Sequence, residues 1–201
     1  TLPAYQTACG VTDMFIHLTE RYFTNTPDVS LTDEMIEGLM RTILKYGILC
    51  VKEPDNYNAR AQIMWAGTLA HNDLCGVGRE QDWASHHIQH RIGAKYDSAH
   101  GAGLATIFPA WAQYVYKHDV PRFVRFATKV MGVDNDVFHP EEVALEGIHR
   151  IKAYFASLGM PTTLSELGVK EEDIQALADT ADGVYVPLSR DDIVKIYDLA
   201  R

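Results

Sequence analysis

The sequence is poor in cysteine, in long apolar runs and in positive charge, and each shortage closes off a class of protein. Cys9, Cys50 and Cys75 are odd in number, scattered, and show no CxxC spacing. That argues against a disulfide framework and suits a reducing, cytoplasmic setting. The most apolar stretch, Gly101 to Tyr116, is interrupted by Pro109 and Gln113 and is too short to span a bilayer. With 27 acidic against 18 basic side chains the formal charge is -9. Nucleic-acid phosphates and anionic membrane surfaces would be repelled, so neither is an expected partner.

Other signals are missing as well. The alternation of a half-buried strand is absent, and no Gly/Ser linker, repeat or low-complexity run divides the chain. Gly101-Ala102-Gly103 has neither a preceding strand nor a third glycine, and Gly76-Val77-Gly78 reads as a helix stop. Neither resembles a nucleotide phosphate cradle. A Gly-x-Ser-x-Gly nucleophile turn is also absent.

What is present is a globular composition, 47% apolar and 22% charged, with apolar residues at helical spacing throughout. These 201 residues can bury a core, and the pattern predicts one all-α domain over 1–201. Pro3 suits the first turn of a helix reaching about Phe23. Ser30 or Thr32 can cap a second helix that stops before Pro54. A third is expected from about Asn58 to Cys75. Asp82 can cap a histidine-bearing segment, and after a break at Gly93 the pattern resumes from about Ala99 to Lys117. Pro121 and Pro140 open two further helices ending at Gly132 and Gly159. Three short helices close the chain, one opened by Ser189. Thr1 in place of Met suggests a processed or truncated chain, the second half of something larger.

Good metal ligands fall in two short segments. Asp13 and His17 are four residues apart, so on a helix their β-carbons lie roughly 6 Å apart on one face. A surface ion pair would have the same spacing, and Asp82 with His86 offers a second such pair. His86-His87-Ile88-Gln89-His90 is more specific, because buried imidazoles each need a partner and make poor core. His86 pairs with His90 at a spacing of four, and His87 with His90 at three; spacing does not choose among them. On one unbroken helix His100 would lie roughly 21 Å from His86. Donors to one ion lie within about 4 Å of each other, so the chain must turn back between them. Gly93 and Asp97-Ser98 can supply the break, and Gly101 to Gly103 allow close helix approach. His71, His118, His139 and His149 stand alone and read as surface or capping residues.

One carboxylate and neutral imidazoles suit a divalent first-row metal: Fe2+, Zn2+, Ni2+ or Co2+. Such a centre is net positive, favours an alkoxide over an alcohol and withdraws electrons from a carbonyl. A structural zinc site would be closed and usually richer in cysteine.

Gly10-Val11-Thr12-Asp13-Met14-Phe15-Ile16-His17, Asp82-Trp83-Ala84-Ser85-His86, and then His90 and His100 closely resemble segments of the iron-containing alcohol dehydrogenases. Within that family they resemble the butanol dehydrogenase and NADPH-dependent aldehyde reductase branch. Phe155 to Thr162 and the closing Ala200-Arg201 resemble it too. The likeness covers the whole chain, but only the second, helical domain of the family's two. The implied fold is the helical metal-binding domain of dehydroquinate synthase-like and iron-containing alcohol dehydrogenases. The resemblance implies Asp13, His17, His86 and His100 as metal ligands, with Fe2+ foremost. It places His90 beside the nicotinamide and substrate, where it could relay a proton, and gives Asp82 and His87 no role.

The implied reaction passes a hydride between NAD(P)H and a small aliphatic aldehyde or alcohol, in a homodimer when full-length. The amino-terminal nucleotide-binding domain is missing from this chain, so the chain alone is expected to be inactive. Two other readings compete. One is a stand-alone helical metal-binding or interaction module; the other is a metal-dependent phosphohydrolase, suggested by His118-Asp119.

Overall fold

The computed structural model describes residues 2–179 and 183–201; Thr1 and residues 180–182 lie outside them. Every regular element among the described residues is a helix. The α-helices are α1 (Ala4–Tyr22), α2 (Ser30–Lys52), α3 (Tyr57–His71), α4 (Ala84–Tyr96), α5 (His100–Val115), α6 (Val120–Lys129), α7 (Pro140–Ser157), α8 (Ile174–Leu177) and α9 (Arg190–Leu199). Short 3-10 turns cover Leu74–Gly76, Tyr116–His118 and Glu171–Asp173. No helix of the described residues is long and apolar enough to cross a membrane.

Several local expectations are corrected. Neither Ser30 nor Thr32 caps α2: the cap position is Val29, without a side-chain bond. The third helix stops at His71 rather than Cys75, and Asn56 caps its start by accepting from the Ala59 N–H. Asp73 then takes a left-handed conformation, φ 63°, which breaks the helix before the short turn at Leu74–Gly76. Gly93 does not break α4, which runs on to Tyr96; the break is at Asp97, held left-handed at φ 50°. Asp is among the residues that tolerate that region best. At α9 the sequence signal holds, since Ser189 and Asp192 form a reciprocal capping box.

Hydrophobicity decides the layout. Thirteen of the sixteen residues of α5 are buried, so it is apolar all round and packs centrally against α1, α4, α7 and α9. α1 is two-faced. At about 100° per residue, Asp13, His17 and Glu20 share one face and Phe15 and Tyr22 the opposite one. The apolar face feeds an aromatic cluster of Phe15, Tyr22, Phe23, Phe123, Phe126 and Phe155, with Phe23 stacked on Phe123 at 4.4 Å. Each such fully buried ring stabilises by about 1.5–3 kcal/mol.

Two glycines set how closely the site helices approach. A Cβ on Gly101 would stand 2.6 Å from the Cys9 Cα and nearer still to its carbonyl oxygen. A Cβ on Gly103 would stand 2.6 Å from Gln89 Cγ. The first turn of α5 therefore lies hard against α1 through Gly101 and against α4 through Gly103. His100 is thereby placed between Asp13 and His86.

Candidate metal centre

Three imidazoles converge on one carboxylate oxygen. Asp13 Oδ1 lies 3.3 Å from His100 Nε2, 3.6 Å from His86 Nε2 and 3.7 Å from His17 Nε2. Two donors around one tetrahedral ion, each about 2.1 Å from it, are about 3.4 Å apart. Each imidazole thus stands at about ligand spacing from Asp13; the donors of Asp13, His86 and His100 lie within 4.8 Å of one another, whereas His17 groups with Asp13 and His71. Asp13 Oδ1 and His86 Nε2 are buried without a hydrogen bond, a state that is rare unless something else satisfies the atoms.

The far sides of two rings fix which nitrogen is bare. His86 Nδ1 donates to Glu20 Oε1 at 3.0 Å, and the Glu20 side chain is 1% exposed. His100 Nδ1 donates to Gln89 Oε1 at 2.6 Å. With Nδ1 donating outward, each ring turns its Nε2 toward Asp13, the side on which an ion would meet it. Such outer hydrogen bonds orient metal-binding histidines and fix their tautomer. We predict that Glu20→Gln weakens divalent-metal affinity 10- to 100-fold, about the range for such partners. Affinity within twofold of wild type, measured by calorimetry, would show that the bond is not needed.

The charges are strongly coupled. Burial would raise the Asp13 carboxyl, but His100, His71, His86 and His17 hold it far below the usual carboxylate range. Burial pulls the His86 imidazole down, yet Asp13 and Glu20 outweigh it and push it up to about 9. His17 goes the other way: burial, with His71, His86 and Arg21 beside it, pulls it to about 3 against Asp13.

Trp83 walls one side. Its φ of 65° and ψ of 8° are costly for a bulky side chain. That backbone puts its indole edge-on to His17 and His86, each 5.1 Å away, with the Arg21 guanidinium 5.0 Å from the ring. Trp83, not Asp82, takes the cap position of α4. Asp82 instead accepts from the Tyr185 N–H at 2.8 Å, and burial, with Glu20 nearby, pushes its carboxyl up to about 7.

The structure separates the crowded histidines. His87 points outward and His86 inward. His90 is exposed, and its ring lies 5.5 Å from the His100 ring and 6.2 Å from that of His86. Burial and the neighbouring His100, His86 and His87 lower the His90 imidazole. One lone histidine was misread as surface or capping only. His71, at the end of α3, lies tilted against His17 with ring centres 4.1 Å apart and puts Nε2 3.3 Å from Asp13 Oδ2. His118 and Asp119 stay away from this cluster: His118 Nε2 meets Asn25 Oδ1 at 2.9 Å and Asp119 caps α6. His139 pairs with Asp136 on the surface.

Fold and cluster together define an all-helical domain that gathers a carboxylate and imidazoles of the metal-ligating kind. The profile of the Fe-containing alcohol dehydrogenase family, C-terminal, matches residues 7–200, and the chain belongs to that family. The NADH-dependent butanol dehydrogenase B of Clostridium acetobutylicum is 39% identical over 180 residues, 89% of this chain and 46% of that protein. The NADPH-dependent aldehyde reductase YqhD of Escherichia coli is 37% identical over 180 residues, 88% of this chain and 45% of that protein. Among solved structures, the NADH-dependent butanol dehydrogenase A of Thermotoga maritima has a TM-score of 0.93 at 38% identity, over 100% of this chain and 53% of that one. The chain spans about half the length of the curated relatives it matches.

Proposed function

We propose that the chain is the metal- and substrate-binding part of an NAD(P)H-dependent alcohol dehydrogenase or aldehyde reductase. The observation that carries this reading is the convergence of three Nε2 atoms on one buried, unbonded Asp13 oxygen. Asp13, His17, His86 and His100 would hold a divalent ion, with Fe2+ put first by the family's name and Zn2+, Ni2+ or Co2+ also suiting the donors. When bound, that ion supplies a Lewis acid for an alcohol or aldehyde oxygen while a nicotinamide gives or takes the hydride.

The chain's own residues contribute positioning and proton handling. Glu20 and Gln89 keep Nδ1 protonated on His86 and His100, and Trp83 shields His17 and His86 from water. His90, exposed and with a lowered imidazole, stays neutral near pH 7 and can accept or give a proton beside the cluster. Names of the relatives point to small aliphatic substrates such as butanol and its aldehyde. The nicotinamide would be held by a nucleotide-binding domain like the other half of the relatives, in a cytoplasmic homodimer.

The test is metal analysis beside rates. The 201-residue chain is expected to bind a divalent ion through Asp13 and to leave NADPH and butyraldehyde unchanged. Joined to a nucleotide-binding domain of the family, it is expected to oxidise NADPH with that aldehyde. Turnover by the chain alone, or manganese-dependent hydrolysis of a phosphate ester, would overturn the reading.

A further inference from the structure

His71 is the donor that neither the spacing nor the family resemblance singles out. Its Nδ1 donates to the Gly67 carbonyl at 2.8 Å, and a carbonyl oxygen only accepts. With Nδ1 turned to that carbonyl, Nε2 faces Asp13 Oδ2 at 3.3 Å. In the metal-free chain this contact is a hydrogen bond to Asp13, and an ion would take the place of the shared proton. The spacing again matches the roughly 3.4 Å expected of two donors sharing an ion. Each Asp13 oxygen therefore faces imidazole, three rings on Oδ1 and one on Oδ2. Asp13, His17 and His71 offer donor atoms within 4.8 Å of one another, a grouping separate from Asp13, His86 and His100.

We infer that His71 and Asp13 Oδ2 form a second divalent-cation position adjoining the first, with the Asp13 carboxylate bridging the two. Carboxylate-bridged ions about 3.5–4 Å apart are a familiar arrangement in hydrolytic enzymes. Here the two positions are unequal. The first has four protein donors and one deeply buried ring. The second has His71, whose side chain is 39% exposed, and one Asp13 oxygen, so water would complete its shell and binding is weaker. His17, its ring 4.1 Å from that of His71, lies between them and can serve one ion at a time. Borderline ions that accept imidazole, zinc above all, fit such a position better than magnesium or calcium.

The inference rests on the Asp13 site proposed above, and the experiment separates the two. The chain, stripped with chelator, is titrated with Zn2+ by calorimetry, and the bound metal is counted after gel filtration. Wild type is expected to take two equivalents, the second at least tenfold weaker. His71→Ala is expected to lose the weaker equivalent and keep the tighter one within threefold. His86→Ala is expected to lose the tighter one and keep a weaker one that disappears in the His71→Ala, His86→Ala double variant. Thermal melts of the stripped proteins show that each variant is folded; His71 is at a helix end and exposed, so its melt should not move. A single equivalent in wild type would make His71–Asp13 an ordinary ion pair and overturn the inference. So would a second equivalent that persists in His71→Ala, or a tight equivalent lost with His71. Absence of the tight equivalent in wild type would instead sink the proposed function.

Discussion

His86→Ala is expected to lower divalent-metal affinity by more than about 100-fold, beyond what losing an outer hydrogen-bond partner costs. Two effects combine. The variant lacks one of three rings aimed at Asp13 Oδ1, and Glu20, 1% exposed, loses its Nδ1 partner while keeping the residue-86 N–H at 3.2 Å. In a protein carrying the nucleotide-binding half, activity should fall with the metal. His90→Ala should keep the metal and slow proton-linked steps, because His90 makes no contact with Asp13. Metal content and rates measured together decide it; unchanged metal in His86→Ala would reject the ligand assignment.

The same ring gives the pH dependence and its sign. Without metal, His86 keeps its second proton up to about pH 9, because Asp13 and Glu20 favour the charged form. An ion must expel that proton, so affinity is greatest above pH 9 and falls about tenfold per unit below it for the one proton displaced. His17, pulled down to about 3, has no extra proton to lose at neutral pH. Calorimetry in buffers of different ionisation enthalpy should show the proton released from His86.

Asp33→Ala should be the most destabilising single change away from the site. The Asp33 carboxylate is 4% exposed and meets Arg79 at 2.9 Å, Arg122 at 2.5 Å and Arg125 at 3.5 Å. Arg79 is fully buried at its side chain. Its backbone acceptors, the Arg21 carbonyl at 2.9 Å and the Val29 carbonyl at 3.1 Å, would remain, but neither carries charge. Breaking such a pair from one side costs about 3–5 kcal/mol, or roughly 6–20 °C in melting temperature for a chain of this size. Glu146→Ala is the control. Its bond to Arg150 spans one exposed helical turn and contributes about 0.3–0.5 kcal/mol. Equal melting shifts for the two variants would refute the comparison.

Helices were legible in the sequence because burial imposes a 3.6-residue period, and prolines and glycines mark the ends. Their boundaries were less so. For the turn between α4 and α5 the sequence offered both Gly93 and Asp97-Ser98, and Asp97 supplies the left-handed residue. The Asp13–His17 pair was visible as one helical turn. His86 could not be chosen over His87 or His90 by spacing, since the choice depends on which way α4 faces α1. Glu20 carried a signal that was passed over: with Asp13 and His17 it continues one helix face. His71 carried none, because a basic residue at a helix end is common and only the packing of α3 against α1 gives it a neighbour.

The glycine contacts of α5 also bear on stiffness. With Gly101 against the Cys9 backbone and Gly103 against Gln89, α5 has no slack to slide along α1 or α4. The donor cage can therefore adjust to ions of different radius only by turning side chains about their own bonds. His86, 6% exposed and tethered to Glu20, has the least freedom to do so, and the cage should discriminate between metals by geometry rather than mould itself to each.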